Sequence, residues 1–130
     1  MVIPQDIQEI IGKQNLYYLA TASKDGKPNL ICLTFIKVYD DYQLLIADNK
    51  FEKTRKNLEE NPQIAIVVYD EASRASYQLK GTASLHTEGD CFEDTISWVN
   101  ERIPDGHIKP KAGVVLNVEE IYCGTERVVQ

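Results

Sequence analysis

Stretches rich in β-branched and aromatic residues recur along the chain, and turn-forming residues separate them. Such stretches are typical of strands. Asp25-Gly26, between the first two of them, is the strongest short signal for a hairpin. The pattern predicts six strands, over residues 16–22, 28–39, 42–47, 63–69, 76–87 and 112–122. The fourth of these is almost continuously apolar, which predicts a strand buried on both faces.

Three other segments carry apolar residues at helical spacing, and they predict helices over residues 4–12, 51–61 and 89–103. In the last helix the apolar stripe consists of Phe92, Ile96, Val99 and Ile103. Trp98 lies off that stripe, at about 240° from Phe92 with 100° per residue. Because tryptophan is enriched at interfaces, we expect Trp98 to contribute to a subunit interface. The alternative is a tryptophan that folds over its own domain.

The order of these elements predicts the fold. Six strands joined by short turns, with helices inserted after the third and fifth, fit a closed antiparallel barrel. Closure would also leave no free strand edge. We therefore predict a mainly β fold with short helices, a six-stranded antiparallel barrel that occupies residues 1–130 as a single domain.

Composition narrows the possible partners. The net charge of −6 argues against a nucleic-acid partner, because phosphate binding needs clustered Lys and Arg. The three cysteines are far apart and form no Cys-x-x-Cys motif, so we expect reduced thiols and no metal site. The N-terminus lacks a basic region followed by an apolar run, and no apolar stretch approaches the roughly 20 residues of a membrane helix. We therefore expect a cytoplasmic protein with no membrane partner.

One segment departs from this acidic composition. Four of the eight residues 50–57 are Lys or Arg and one is Glu, and the segment lies at the start of a predicted helix. Free backbone N–H groups and the positive end of the helix dipole favour an anion there. Lys53 would add a charge and Thr54 a hydroxyl donor, which together describe a phosphate site. The alternative is an ordinary solvated basic helix face.

Two further segments adjoin this helix start. Residues 25–35 form a hairpin that enters an apolar strand, and residues 45–49 form a strand that ends in Asp48 and Asn49. Together they would place an apolar strand surface beside the phosphate site. That combination suits a flat, aromatic, phosphorylated cofactor.

A set of short motifs runs in order over residues 14–122: Leu19-Ala20-Thr21, Asp25-Gly26-Lys27-Pro28, Ile46-Ala47-Asp48-Asn49, Lys53-Thr54, Asn57-Leu58, Asn61-Pro62 and Lys80-Gly81-Thr82-Ala83. This ordered set resembles the FMN-binding split-barrel family of pyridoxamine 5′-phosphate oxidase-like proteins. Each motif alone is weak, but their order and spacing agree with that family.

The resemblance implies a homodimer with FMN at the subunit interface. Lys53 and Thr54 would contact the phosphate, and Ala47, Asp48 and Asn49 would lie near the ribityl chain and phosphate. The flavin ring would be lined by Ile31, Cys32, Leu33 and Thr34, and Gln78 would approach from the fifth predicted strand. Many relatives carry proline at the position of Cys32, so the ring contacts of this strand differ in detail.

The resemblance also limits the substrate. Relatives that oxidise pyridoxamine phosphate have a longer C-terminal part, whereas this sequence ends at Val128-Val129-Gln130. We therefore expect little activity on that substrate. His86, His107 and Cys32 are isolated, so we interpret them as structural and assign no catalytic residue. A flavin carries its own redox chemistry and needs no catalytic triad.

Four functions are compatible with these residues. The first is an FMN-dependent oxidoreductase of a small, unidentified substrate, which we expect to be apolar or aromatic. The second is a non-enzymatic flavoprotein for electron transfer or flavin storage. The third is a relative that uses a deazaflavin or haem, and the fourth is a barrel without cofactor that serves as an interaction module.

Overall fold

The structure is a computed structural model that describes residues 1–128. Three helices and eight strands are found in this part of the chain. The helices are α1 (Gln5–Gly12), α2 (Lys53–Glu60) and α3 (Asp90–Arg102). The strands are β1 (Tyr17–Ala22), β2 (Pro28–Leu33), β3 (Ile36–Val38), β4 (Gln43–Asp48), β5 (Gln63–Asp70), β6 (Ala75–His86), β7 (Ala112–Cys123) and β8 (Glu126–Arg127).

All strands belong to one antiparallel sheet, which runs in the order β2-β1-β5-β6-β7-β4-β3, with β8 paired to β7. The strands at the two edges, β2 and β3, come from a single predicted strand. The chain itself therefore joins the two edges and curls the sheet into a split barrel. The predicted fold class, mainly β with short helices, is confirmed.

The number of strands differs from six because the predicted strand 28–39 is divided at Thr34 and Phe35. These two residues lie between β2 and β3, and only Phe35 keeps a backbone bond to a neighbouring strand, β4. Arg102 Nη1 donates to the carbonyl of Thr34 (3.0 Å), and the backbone N–H of Ala47 donates to that of Phe35 (3.0 Å). The short β8 accounts for the other additional strand.

The core fills the inside of the curled sheet. Inward-facing residues of the strands pack there with Ile3, Ile7 and Ile11, because α1 covers one end of the barrel. Tyr17 secures this cover, since its hydroxyl donates to the carbonyl of Ile11 (2.6 Å). Burial raises the pKa of Tyr17 above its ordinary value. No helix in residues 1–128 is long and apolar enough to cross a membrane.

The prediction that the strand 63–69 is buried on both faces is wrong for a single chain. In β5, Ile64, Ile66 and Val68 point into the core, whereas Val67 and Tyr69 are 39% and 47% exposed. Side chains of a strand alternate between its faces, and only the inner face is covered here. The apolar outer face of β5 is thus left open to solvent in one chain.

Trp98, which we expect at a subunit interface, is instead buried within the single chain, where only 8% of the residue is accessible. Its ring meets Phe35 edge to face, with centroids 5.4 Å apart and planes at 76°. Trp98 therefore folds over its own domain, which was the alternative expectation. Together with Leu45, Ala47, Val99 and Val115 these rings form a second apolar cluster beneath α3.

The predicted apolar stripe of α3 is rotated in the structure. The buried residues of this helix are Thr95, Trp98 and Val99, while Phe92 and Ile96 are only partly buried. Thr95 can be buried because its hydroxyl donates to the carbonyl of Cys91 (2.8 Å). Gly113 on β7 lies against Thr95 and Cys91, and a Cβ at this position would overlap the threonine hydroxyl. Close approach at a glycine thus determines which face of α3 is inside.

Gly81 provides a test of the barrel packing. A Cβ at this residue would overlap the backbone carbonyl of Asn117, next to the irregular pairing between β6 and β7. We expect Gly81→Ala to lower the free energy of unfolding by about 1–3 kcal/mol, as overpacking does. Gly12→Ala is the control, because a Cβ there meets nothing within 4 Å. Urea unfolding of both variants checks this, and equal stabilities would contradict the packing at Gly81.

Candidate functional site

The end of β4 and the start of α2 meet a cluster of polar side chains. Asn29 Nδ2 on β2 donates to Thr54 Oγ1 (3.0 Å) and lies 3.4 Å from Thr21 Oγ1, and Asn57 Nδ2 donates to Thr21 Oγ1 (3.1 Å). Thr21, Thr54 and Asn57 are buried. These bonds fix the first turn of α2 against β1 and β2. Since Thr54 accepts from Asn29, its own hydroxyl proton remains available for donation.

The start of α2 is electrically suited to an anion. No side chain within residues 1–128 caps the helix, and its first turn holds no acidic residue, although the exposed Glu52 precedes it. The uncapped N–H groups and the helix dipole favour negative charge there. Lys50, Lys53 and Lys56 are exposed and form no ion pair with any residue in 1–128.

Asp48 is fully buried at the end of β4. One oxygen of its carboxylate accepts from the backbone N–H of Phe51 (2.9 Å), and the other accepts from Arg55 Nη1 (3.1 Å). Arg55 also lies 3.7 Å from Glu59. The charge of Arg55 is therefore compensated, unlike the charges of the three lysines.

Two buried polar atoms beside this helix start have no hydrogen-bond partner in the described chain, Oδ1 of Asn49 and Nε of Arg55. Buried polar groups are usually paired, so each of these atoms calls for an explanation. An amide oxygen accepts from a hydroxyl, so Asn49 Oδ1 suits a ligand that carries hydroxyl groups. Arg55 Nε lies 3.7 Å from Glu59 Oε2, which gives it an ionic partner inside the chain.

The predicted ring-lining residues lie on two faces of the sheet. Ile31 and Leu33 are partly buried and pack against the core, whereas Cys32 and Thr34 are exposed. Only the backbone of this strand could present all four residues to one ligand. Ala47, predicted beside the ribityl chain, is buried in the apolar cluster beneath α3.

Gln78 lies apart from the α2 cluster. It is exposed on β6 and belongs to the cross-strand row Cys32, Tyr18, Val67, Gln78 on the outer face of the sheet. Three strand spacings separate Gln78 from Cys32, which amounts to about 14 Å. The structure therefore brings Asp48, Asn49, Lys53 and Thr54 together but leaves Gln78 distant within one chain.

Sequence reasoning missed Thr21, Asn29 and Arg55 as parts of this region. Thr21 and Asn29 are cross-strand partners on the inner side of the sheet. A polar residue at an inward strand position is a signal that it has a partner, and this signal could have identified both. The sequence does not distinguish the role of Arg55 from that of the neighbouring lysines, because the pairing of Arg55 with Asp48 depends on the fold of residues 49–52.

A cavity of about 530 Å³ opens between α1, β3 and α3, at the break between β2 and β3. Trp98, Tyr17 and Ile36 line it together with the amide side chains of α1 and the following loop. Among residues 1–128 its charged lining residues are Lys37 and Arg102, and none of its lining residues is acidic. Thr34, one of the predicted ring-lining residues, is also part of its wall.

Aromatic rings hold both cations of this cavity. Lys37 Nζ lies 4.9 Å from the centroid of the Trp98 ring, and the Arg102 guanidinium lies 4.1 Å from that of Phe35. Such contacts orient a cation without neutralising it. Arg102 uses one of its five N–H groups on the carbonyl of Thr34, so further donors remain for an anion.

Elsewhere a few titratable side chains form isolated contacts. Ser84 bonds His86 (2.8 Å), and His107 bonds Asp105 and lowers the pKa of that carboxyl, chiefly through its backbone N–H. Tyr39 bonds Asp94, which raises the pKa of the phenol, and burial raises the pKa of the nearby Cys91 thiol. No three His, Cys, Asp or Glu residues in 1–128 are grouped to hold a metal ion.

Comparison with known proteins finds a matching family model, a sequence relative and similar solved structures. A family model described as pyridoxamine 5′-phosphate oxidase matches residues 3–123. An uncharacterized protein of Methanocaldococcus jannaschii is 39% identical over 112 residues, which are 85% of this chain and 73% of that protein. The crystal structure of HupZ from Group A Streptococcus has a TM-score of 0.84 and 28% identity, and the match covers 98% of this chain and 99% of that one.

More distant structures share the fold alone. An FMN-binding protein from Syntrophomonas wolfei has a TM-score of 0.72 at 14% identity, over 97% of this chain and 90% of that one. The haem storage protein HutZ from Vibrio cholerae reaches 0.67 at 24% identity, over 95% of each chain. An F420 reductase reaches 0.69 at 17% identity, over 92% and 98%.

The family match covers nearly the whole described barrel, and it includes β2, the end of β4 and the start of α2. On this evidence the chain belongs to the pyridoxamine 5′-phosphate oxidase family, whose split-barrel fold it has.

Proposed function

We propose that this protein binds FMN and is an oxidoreductase that acts on a small anionic substrate. The observation that carries the proposal is the uncapped start of α2, where the unpaired Lys53 stands beside Thr54, whose hydroxyl is oriented by Asn29. Such a helix start binds a phosphate group through backbone N–H groups, a hydroxyl and a nearby charge. An FMN-binding protein with the same fold supports this choice of ligand.

The residues around the helix start fit the other parts of FMN as well. Asn49 Oδ1 is a buried acceptor without a partner in the described chain, and a ribityl hydroxyl would satisfy it. The backbone of the edge strand β2 would then lie along the ring, with the side chains of Cys32 and Thr34 on the open face.

Bound FMN would supply hydride and electron transfer, and the chain would bind and orient the reactants. The substrate site that fits best is the cavity of about 530 Å³ at the β2–β3 break, because it shares Thr34 with the proposed ring site. Its volume is within the usual range for small-molecule sites. Lys37 and Arg102 would attract a carboxylate or phosphate group, while the amides of α1 would bond its hydroxyl groups.

The alternatives concern the cofactor and the use made of it. The haem storage protein and the F420 reductase show that this fold also occurs in proteins with other cofactors. A flavin carrier would need the same phosphate site but no substrate cavity. The absorbance spectrum of the purified protein separates flavin, deazaflavin and haem, and turnover of a substrate separates an enzyme from a carrier.

We also propose a homodimer that buries the outer face of the sheet. Leu16, Tyr18, Leu30, Val67 and Tyr69 are all exposed on or beside this face, and Leu30 is 69% exposed. Large contiguous apolar patches of this kind mark interaction surfaces. A second copy seated there would bring its own residues toward the row that contains Cys32 and Gln78. It would also exclude water from a flavin bound at the edge strand β2.

The phosphate site is tested with FMN and riboflavin, which differ only in the phosphate. We expect FMN to bind more tightly, and Lys53→Ala to weaken FMN binding by about tenfold to a hundredfold. This corresponds to the loss of a charged hydrogen bond worth about 1.5–3 kcal/mol. Flavin fluorescence gives the dissociation constants. Lys56→Ala is the control, because it removes the same charge one turn further along α2.

Two results would contradict the phosphate site. Equal affinities for FMN and riboflavin would mean that the phosphate is not recognised. Equal losses in Lys53→Ala and Lys56→Ala would mean that the lysines act only through the general charge of the helix.

Trp98 reports on the proposed substrate cavity, because it is the only tryptophan of the chain and lines that cavity. We expect acetate and inorganic phosphate to change its fluorescence in a saturable manner, beyond the effect of chloride at equal ionic strength. Arg102→Gln should weaken this response about tenfold or more, since it removes a charged donor. Lys109→Gln, an exposed change outside the cavity, is the control. An identical response of the two variants would refute an anion site at Arg102.

Light scattering tests the dimer, whose mass should be about twice the 14.8 kDa of the chain. We expect Leu30→Glu to give monomers, because a charge buried in an apolar interface is costly. Tyr42→Glu is the matched control: Tyr42 is 55% exposed, but it lies in the turn between β3 and β4 at the far end of the sheet. A monomeric wild type, or a dimer that survives Leu30→Glu, would rule out this interface.

A further inference from the structure

We propose that Asp48 is a positioning residue, which holds the phosphate site in shape without touching the ligand. The inference rests on the proposed FMN site and changes the role that the family resemblance implies for Asp48. Its side chain has no accessible surface, and both of its carboxylate oxygens already have partners inside the chain. A ligand on the surface of this chain therefore cannot reach it.

The two partners of Asp48 connect three elements of the site. Its bond from the Phe51 N–H closes the loop of residues 49–52, and its bond from Arg55 fixes the first turn of α2. At the same position its backbone carbonyl accepts from the N–H of Lys111, which fixes the end of β4 against the segment before β7. The carboxylate thus sets the distance between the end of the sheet and the start of the helix.

The groups that face the proposed ligand depend on this distance. Asn49, with its unpartnered amide oxygen, is the first residue of the loop that Asp48 closes. Lys53 and Thr54 begin the helix that Asp48 holds through Arg55. If the carboxylate is lost, the amide oxygen and the helix start are no longer fixed relative to one another.

The charge of Asp48 gives a second, opposite expectation, which makes the inference testable. A carboxylate near a phosphate repels it, so an effect of charge alone would make FMN bind more tightly when the carboxylate is neutralised. A positioning role requires weaker binding instead. The single carbonyl oxygen of asparagine can satisfy the Phe51 N–H or Arg55, but not both. Asp48→Asn therefore separates the two roles by the sign of the change.

Glu59 offers a matched control. It lies 3.7 Å from the same arginine and on the same helix, but its side chain is 56% exposed and closes no loop. Asp48→Asn and Glu59→Gln change the net charge by the same amount. We expect Asp48→Asn to weaken FMN binding about tenfold or more, as expected when a buried charged bond is lost. Glu59→Gln should leave the FMN dissociation constant unchanged or slightly lower.

Hydrogen exchange of the protein without flavin provides a readout that does not depend on FMN binding. Amides of residues 49–55 should exchange faster in Asp48→Asn than in the wild type, and Glu59→Gln should match the wild type. If the wild type binds no FMN, the proposed function fails, while the exchange data still test the positioning of the loop. Tighter FMN binding by Asp48→Asn, or exchange equal to that of Glu59→Gln, would overturn the inference.

Asp48→Glu keeps the test decisive if the asparagine variant does not fold. This change keeps the charge but lengthens the side chain by one methylene, so a purely electrostatic role predicts unchanged FMN affinity. The positioning role predicts weaker FMN binding and faster exchange in the loop 49–52. Unchanged affinity in Asp48→Glu would refute the inference.

Discussion

The structure depends on one constraint: residues 28–39 must pair with both edges of the same sheet. The first half, β2, adds to β1, and the second half, β3, adds to β4. Between them the carbonyl of Phe35 still accepts from the N–H of Ala47 on β4, but the carbonyl of Thr34 is satisfied from outside the sheet, by Arg102. This places the end of α3 at the break and produces the cavity beside it. The barrel closure, the packing of α3 and the proposed substrate site therefore have a common origin.

The proposed phosphate site at the start of α2 depends on which cations of the basic segment 50–57 have ionic partners. In a chain with a net charge of −6, a basic segment could be neutralised by its surroundings. Here only Arg55 is neutralised, by the buried Asp48, and the lysines of the same segment remain without ion pairs in the described chain. A buried carboxylate is costly unless its oxygens are paired, and Asp48 meets that condition with a backbone N–H and a guanidinium. Arg55 thus has a structural role, while the lysines within about one turn of it remain available to a ligand.

Much of this could be predicted from the sequence, where local patterns decide the outcome. The strands, the three helices and the position of Lys53 and Thr54 at a helix start follow from periodicity and turn residues. The break at Thr34 could not be predicted, because residues 28–39 have strand character throughout and only the sheet order divides them. The face of α3 was predicted wrongly because Gly113, distant in sequence, creates room for Thr95. The contribution of Asn29 also depends on the register of β1 and β2.

The exposed apolar face of β5 leads to a different conclusion. Its sequence favours burial on both faces, and the single chain buries only one, so the local pattern and the monomer disagree. In natural sequences local preferences and the final environment usually agree. The disagreement disappears if the outer face is covered in the assembly. Tyr18 and Leu30 lie on the same outer face of the sheet. The core of the single chain does not use these apolar side chains. The proposed homodimer is therefore the environment in which the pattern of residues 63–69 and its structure become consistent.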